Sequence, residues 1–286
     1  MTPSEFRAAQ QTHRTASGEI AWIEQGSGPA ALFVHGFPLN GYHWRYQLAG
    51  LAELRRCIAP DLLGLGYTQP AAGADVGFAG QVKMLVELLD ALGIEQVDLV
   101  GNDSGGAISQ ILAVRHPRRV RSLTLTNCEV DENCPPDAFK PQVELAKQGV
   151  LLDLLAGALG NLEAARAPTG LGSAYQYPER ITQELLELYL APLVASPERK
   201  ALANRYVASE SPEATVAIRG ALARLDLPLL LVWGLDDVFF AKSWAEWLMK
   251  TVPGARGLVE LENAKLFFAE ERPDELNRAL RSFWKA

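Results

Sequence analysis

The chain has 286 residues, of which 48% are hydrophobic and 21% are charged, and its formal net charge is −7. This length is enough for one large α/β domain with a sizeable core, or for two small domains. The negative charge, without a local run of Lys or Arg, argues against nucleic acid as a partner. The three cysteines form no CxxC pair, so neither a disulfide framework nor a zinc site is indicated.

No stretch approaches the ~18 apolar residues that a membrane span requires. The first residues, MTPSEFRAAQQTHR, lack the apolar segment of a signal peptide. We therefore expect a cytoplasmic protein, a monomer or a homodimer, that acts on a small molecule and not on nucleic acid or a membrane. We expect no metal and no organic cofactor, because the chain shows no ligand cluster and no phosphate-binding loop.

The predicted elements alternate between strands and helices along the first part of the chain. Apolar runs predict strands at EIAWIEQ, AALFV, RRCIAP, QVDLVGN and RVRSLTLTN. Helical spacing predicts helices at FAGQVKMLVELLDALGI and at SGGAISQILAVRHP, which stops before a proline. Such alternation is typical of a mostly parallel sheet with helices on both faces.

The alternation is interrupted after Cys134 and resumes near the end of the chain. Residues 135–215 look helical and carry no clear strand, whereas LPLLLVWGLDD and RGLVELEN again predict strands, each followed by a helix. We therefore predict an α/β core formed by residues 1–134 and 216–286. Residues 135–215 are predicted to form a helical cap over the carboxyl ends of the strands, where open α/β sheets bind ligands.

The segment LVGNDSGGAISQ predicts a strand that turns at once into a helix. The residue at such a turn has strained dihedrals, and the residues two before and two after it must be small. Asp103 has Gly101 and Gly105 at those places, whereas Ser104 has Asn102 two residues before it. The spacing therefore places Asp103 at the apex. A nucleotide-binding loop is the alternative, but no G-x-G-x-x-G or P-loop pattern stands here.

Five segments together resemble the α/β-hydrolase superfamily over nearly the whole chain. HGFP resembles the oxyanion loop, APDLLGLG the loop after the next strand, and VWGLDD the strand that ends in the acidic member of the catalytic triad. FFAEERPDEL resembles the stretch just after the catalytic histidine. GNDSGG resembles the nucleophile elbow in its aspartate form, as in haloalkane dehalogenases, fluoroacetate dehalogenase and epoxide hydrolases. The resemblance implies an α/β-hydrolase fold with an inserted helical cap.

The same resemblance implies residue roles. In the aspartate branch a carboxylate attacks an electrophilic carbon, and a histidine oriented by a second acid then activates water to hydrolyse the resulting ester. Asp103 matches the nucleophile and Asp237 the acid, with Asp236 as the neighbouring alternative. The backbone N–H groups of Phe37 and Ser104 match the oxyanion donors.

The histidine of this pattern is missing. Its position, immediately before the aromatic residues of FFAEERP, is Leu266, and a shift by one residue gives Lys265. His43 follows the oxyanion loop and could approach the pocket, but we expect it on a helix surface. His35 is expected to organise the oxyanion loop. The other two histidines, at the N-terminus and at the far end of the elbow helix, are remote in sequence.

Five residues are candidates to line the substrate pocket: Trp44, Tyr175, Tyr177, Leu266 and Phe267. The two tyrosines resemble the cap tyrosines that donate to the substrate oxygen in epoxide hydrolases, although packing of cap against core is an equal alternative. Trp44 could donate to a halide, yet the residue after the nucleophile is Ser104 and not the usual Trp or Arg, which argues against dehalogenation. An apolar wall at Leu266 and Phe267 predicts a raised pKa for Asp103.

Three functions remain open from the sequence. The first is a hydrolase of a small, largely apolar organic substrate with Asp103 as nucleophile or general acid–base. The second is a cyclase, isomerase or lyase in which Asp103 shuttles a proton. The third is a ligand-binding protein that has lost hydrolysis, similar to the gibberellin receptor. Retention of the aspartate in a costly turn favours an enzyme.

Overall fold

The computed structural model describes residues 1–285 and contains one nine-stranded sheet. Its strands are β1 (Gln11–Thr15), β2 (Gly18–Gln25), β3 (Ala30–Val34), β4 (Arg56–Pro60), β5 (Gln69–Pro70), β6 (Val97–Asp103), β7 (Val120–Cys128), β8 (Leu229–Gly234) and β9 (Ala255–Leu261). The α-helices before β8 are α1 (Pro3–Ala9), α2 (Arg45–Leu51), α3 (Phe78–Ala91), α4 (Ser104–Arg115), α5 (Lys140–Lys147), α6 (Leu151–Ala158), α7 (Leu162–Arg166), α8 (Gln183–Val194), α9 (Pro197–Ala208), α10 (Pro212–Val216) and α11 (Arg219–Leu222). Those after β8 are α12 (Lys242–Thr251), α13 (Phe268–Glu271) and α14 (Pro273–Phe283).

The sheet is mostly parallel, as the alternation of elements predicted. The strand order is β1-β2-β4-β3-β6-β7-β8-β9, with β5 paired to β2. The strands from β4 to β9 in this order run parallel, and only the pairs made by β2 are antiparallel. Strands β3, β6 and β8 are buried along their whole length, because helices cover both faces of a parallel sheet. Strand β1, polar and exposed, gave no periodic signal in the sequence.

The chain between β7 and β8 is helical, in agreement with the predicted insertion. Helices α5, α6, α8 and α9 pack on one another, whereas the short helices α10 and α11 pack against α4 of the core. The division of the chain at residues 135–215 remains a prediction. Over the residues that the structure describes, no helix is long and apolar enough to cross a membrane.

A buried cluster around Glu270 joins the helical segment to the core. The Glu270 carboxylate accepts hydrogen bonds from His43 Nδ1 at 2.9 Å, Arg45 Nη2 at 2.8 Å, Tyr175 Oη at 3.2 Å and Tyr189 Oη at 2.8 Å. Both tyrosines come from the segment between β7 and β8. Burial alone would raise the pKa of Glu270, but the charge of Arg45 and the hydrogen bond from His43 lower it to about 2. The carboxylate is therefore ionised and holds both parts of the fold together.

His43 is completely buried in this cluster, so the expectation of a helix-surface histidine was wrong. It lies on a 3₁₀ turn, Gly41–Trp44, that faces the core on every side, a geometry that a helical surface pattern does not anticipate. His35 is also buried, and burial lowers its pKa to about 3. One ring nitrogen of His35 lies 2.9 Å from Gly36 O, and the other accepts from Leu62 N at 3.2 Å. The neutral imidazole thus organises its loop, as expected.

We predict that Glu270→Gln lowers the free energy of unfolding by roughly 3 kcal/mol, because it leaves the buried Arg45 guanidinium without a counter-charge. Urea-induced unfolding of the variant and the wild type measures this difference in the free energy of unfolding. The matched variant Glu262→Gln makes the same change at an exposed position and should cost less than about 0.5 kcal/mol. Similar losses in the two variants would contradict the role of the cluster.

Candidate active site

The turn between β6 and α4 holds Asp103 in the left-handed region, with φ 56° and ψ −140°. A residue other than glycine adopts this backbone conformation only where the surrounding structure enforces it. A Cβ added at Gly101 would lie 2.7 Å from the carbonyl oxygen of Gly105, and one added at Gly105 would overlap the carbonyl oxygens of Val34 and His35. The close approach of helix to strand therefore requires both glycines. Asp103 stands at the apex, where the spacing predicted it.

The Asp103 carboxyl is enclosed by the oxyanion loop. It is only 9% exposed, and a Cβ at Gly36 would overlap it. Burial and then the charge of Asp237 raise the pKa of Asp103 to about 7, although hydrogen bonds from the backbone N–H groups of Phe37 and Ser104 act in the opposite direction. The two predicted oxyanion donors thus face the Asp103 carboxyl. The pKa shift has the direction expected from the sequence.

Asp237 is held in the loop after β8. Its carboxyl accepts from Asn127 Nδ2 at 2.7 Å and from Phe239 N at 3.0 Å. Burial nevertheless raises its pKa to about 7, against these hydrogen bonds and the charge of Lys265. The neighbouring Asp236 is exposed. Of the two acids, Asp237 is therefore the one whose charge acts on Asp103.

Leu266 lies in the same cavity wall as Asp103. Asn102, the residue before Asp103, donates from Nδ2 to the carbonyl oxygen of Leu266 at 3.1 Å. The next residue, Phe267, donates its backbone N–H to Ala174 O at 3.0 Å. These two hydrogen bonds hold the backbone of Leu266 and Phe267 between the elbow and the helical insertion. The aliphatic side chain of Leu266 consequently lines the cavity close to the elbow.

A cavity of about 380 Å³ lies between the core and the helical segment. The core contributes Asp103, Phe37, Leu266 and Phe267 to its wall, and the helical segment contributes mainly leucines and alanines. A largely apolar cavity with a few polar groups is the usual form of a small-molecule site.

Three of the predicted pocket residues lie elsewhere. Trp44 is fully buried in the core, with ring centroids 5.4 Å from Phe33 and 4.7 Å from His43. Tyr175 donates to Glu270, and Tyr177 is 37% exposed. Trp44, Tyr175 and Tyr177 are thus not brought to the cavity wall, because packing and the Glu270 cluster hold the first two and the third faces outward.

Ser104 is linked to the helical segment through its side chain. Its hydroxyl lies 2.7 Å from the hydroxyl of Tyr206 on α9, and both side chains are buried. The first residue of the elbow helix is therefore tied to the structure that covers the cavity.

Two acidic residues that the sequence analysis did not single out also line the cavity. Glu129 follows β7 and Glu210 follows α9, and they are 1% and 3% exposed. Burial and the charge of Asp103 raise the pKa of both well above the ordinary value. Glu129 could have been found, since it comes directly after the strand next to β6, at the same edge of the sheet. Glu210 follows a helix of the insertion, where the sequence carries no comparable signal.

The acids of the cavity are not arranged as the ligands of a metal site. In residues 1–285, no group of three or more His, Cys, Asp or Glu side chains is placed so that it could hold a metal ion. The three cysteines, Cys57, Cys128 and Cys134, are buried free thiols.

The pattern of the α/β hydrolase fold family matches residues 29–263. The chain belongs to the α/β-hydrolase fold family. Over 285 residues it is 30% identical to haloalkane dehalogenase 2 of Mycobacterium bovis, covering 93% of this chain and 91% of that protein. Epoxide hydrolase 3 of Xenopus tropicalis is 26% identical over 284 residues, covering 96% of this chain and 74% of that protein.

Solved structures show the same fold. An α/β hydrolase fold protein from Burkholderia ambifaria has a TM-score of 0.81 and 24% identity, covering 94% of this chain and 96% of that one. Haloalkane dehalogenase DbeA from Bradyrhizobium elkani has a TM-score of 0.77 and 25% identity, covering 96% of this chain and 97% of that one. The chain is thus a hydrolase-family protein related to dehalogenases and epoxide hydrolases.

We predict that Asp103→Asn changes how stability depends on pH. The folded-state pKa of Asp103 lies above the ~3.9 of an unfolded chain, so the folded protein binds this proton more tightly. The associated stability is present below about pH 4 and is lost as the pH rises through about 7. The neutral Asn removes this loss. As the pH rises from about 5 to about 8, the free energy of unfolding of the variant should therefore increase by roughly 2 kcal/mol relative to that of the wild type.

Thermal unfolding across this pH range measures the difference. The exposed neighbour provides the matched control, because Asp236→Asn should follow the wild type at every pH. A difference between Asp103→Asn and wild type that stays constant with pH would contradict the raised pKa.

Proposed function

We propose that this chain is an enzyme that acts on a small, largely apolar organic substrate in the cavity, with Asp103 as the reacting carboxyl and Asp237 as its partner. One observation carries the proposal. A strained turn presents the Asp103 carboxyl to an apolar cavity, where its pKa is about 7. Strain at a single residue inside a close-packed fold is typical of functional sites.

The geometry favours general acid–base chemistry at Asp103. A carboxyl with a pKa near 7 is present in both forms at neutral pH, so it can take a proton from one atom of the substrate and return one to another. Leu266 offers no base for the activation of water. A cyclisation, isomerisation or elimination needs only the proton transfer, and it therefore fits the side chains around Asp103 better than a complete hydrolytic cycle.

A covalent route is the second candidate, and the similarity to a haloalkane dehalogenase and to an epoxide hydrolase supports it. In this route an Asp103 oxygen attacks carbon, and either halide leaves or the epoxide C–O bond breaks and the freed oxygen takes a proton. The ester so formed needs water and a base to return Asp103 and an alcohol. With Leu266 at the expected position of the base, we expect this ester to persist.

We predict that Asp103→Asn lowers the rate of the reaction by about 100-fold or more, because it removes the group that transfers the proton. A panel of small apolar epoxides, haloalkanes, lactones and enones is incubated with the protein in D₂O. Intact-protein mass and product NMR then report adducts and incorporated deuterium. Proton shuttling gives deuterated product and no adduct, whereas the covalent route gives an adduct that Asp103→Asn lacks. Turnover that is unchanged in Asp103→Asn would refute the proposal.

We predict that Leu266→His lowers the pKa of Asp103, because an imidazolium beside the carboxylate stabilises its charge. The pH–rate profile should shift to lower pH, and any ester on Asp103 should be hydrolysed faster. The matched variant Leu266→Gln introduces a polar side chain without a titrating ring. If both variants leave the profile and the adduct lifetime equally changed, the imidazole has no specific effect and Leu266 does not mark the position of the base.

A further inference from the structure

Three carboxyl groups stand in the wall of one cavity without a basic partner. Asp103, Glu129 and Glu210 line it, and among the described residues of its wall there is no Lys, Arg or His. Two buried acids of the core show the usual alternative: Glu270 pairs with Arg45, and Asp98 pairs with Arg55. The cavity carboxyls therefore lack the counter-charge that the same fold supplies elsewhere.

The two glutamates carry hydrogen-bonding capacity that nothing in the described chain uses. Glu129 Oε2 and Glu210 Oε2 are buried, and neither has a hydrogen-bond partner within residues 1–285. Nearby donors are engaged with other groups. The hydroxyls of Ser104 and Tyr206 are paired with each other, and the amide of Gln110 donates to backbone oxygens, including that of Glu129. A buried acceptor of this kind needs a donor from a ligand or from water.

We propose that this cavity binds an organic amine in its protonated form, with Glu129 and Glu210 as the acceptors of its N–H groups. The inference rests on the proposed function, in that the same cavity is the reaction site. It names the substrate class, an apolar molecule that carries an ammonium group.

An alkylammonium group matches the cavity in charge, shape and hydrogen bonding. It provides three N–H donors and one positive charge, whereas every titratable side chain in the described wall of the cavity is a carboxyl. The remainder of the wall suits a hydrocarbon, since Leu151, Leu155, Leu186, Leu190 and Phe139 contribute to it. A metal ion is a poorer match, because the acids of the described chain do not converge as metal ligands.

The ammonium would also supply the positive charge that Leu266 cannot. A cation between the glutamates lies in the cavity that holds Asp103, and it favours the ionised form of every carboxyl there. The bound amine thus increases the fraction of Asp103 that is carboxylate, the form that accepts a proton or attacks carbon. A neutral molecule of the same shape leaves the pKa of Asp103 at about 7, so that both forms of the carboxyl are present at neutral pH.

Other titratable groups act on these acids. The groups that face Glu129 and Glu210 from neighbouring elements are Asp103, Asp237, Cys128, Cys134 and Tyr206. Each of them is neutral or negative, and burial raises the pKa of each. Binding of a cation therefore releases protons from the carboxyls, and the affinity increases as the pH rises.

Isothermal titration of the full chain with benzylamine, and with benzyl alcohol as the neutral molecule of the same shape, tests the inference. We expect benzylamine to bind about tenfold tighter or more at pH ~8, with proton release seen as a dependence on the ionisation enthalpy of the buffer. The preference should decrease at pH ~6. It should disappear in the double variant Glu129→Gln/Glu210→Gln and be reduced in each single variant.

The control variant Glu184→Gln, exposed on α8, should retain the wild-type preference. Circular dichroism and thermal unfolding show that each variant is folded before it is titrated. Equal affinities for amine and alcohol would overturn the inference, and so would a preference that persists in the folded double variant. If the amine binds as expected but no substrate of the panel depends on Asp103, the proposed function fails and the amine site stands. If Asp103-dependent turnover is found for neutral substrates without amine preference, the reverse holds.

Discussion

The left-handed turn at Asp103 is the constraint on which the site depends. A strand and a helix meet there so closely that Gly101 and Gly105 cannot carry a side chain, and the oxyanion loop passes over the carboxyl at Gly36. The residue before the turn, Asn102, holds the backbone of Leu266. One local conformation therefore brings together the Asp103 carboxyl, the two backbone donors and the aliphatic wall. Strain of this kind persists only because the packed core around it enforces it.

Burial alone does not determine whether an acid of this protein is charged. Glu270 and Glu129 are both buried, yet the pKa of Glu270 is lowered to about 2 and that of Glu129 is raised well above the ordinary value. The difference lies in their neighbours. Glu270 accepts hydrogen bonds from Arg45, His43 and two tyrosines, whereas the charged groups that act on Glu129 are other carboxyls. The fold thus uses one acid as an ionised structural anchor and raises the pKa of the acids beside the cavity. The carboxyl that stabilises the fold, Glu270, is therefore not one of the carboxyls that line the cavity.

The sequence could predict those features that local patterns encode. The buried parallel strands, the helical insertion and the apex position of Asp103 follow from apolar runs and from glycine spacing, which act over a few residues. Contacts between distant segments could not be predicted in this way. His43 and Trp44 face the core because a 3₁₀ turn rotates them inward, and Glu210 reaches the cavity only through the fold of the insertion. Tyr175 was assigned to the substrate pocket from a resemblance to cap tyrosines, because the sequence did not indicate its hydrogen-bond partner Glu270, which lies 95 residues away.

The attachments of the helical segment also decide where the cavity meets the surface. The buried links that hold that segment on the core include the tyrosines at Glu270, the Ser104–Tyr206 hydroxyl pair, and the bond from Phe267 N to Ala174 O. Lifting the segment at these points would expose the ionised Glu270–Arg45 pair and break these links together. Helix α6 is different, because its Leu154 is 58% exposed and also lines the cavity. The cavity that holds Asp103 is therefore bounded at α6 by an apolar side chain that also reaches the surface, whereas buried hydrogen bonds fix the other attachments of the segment.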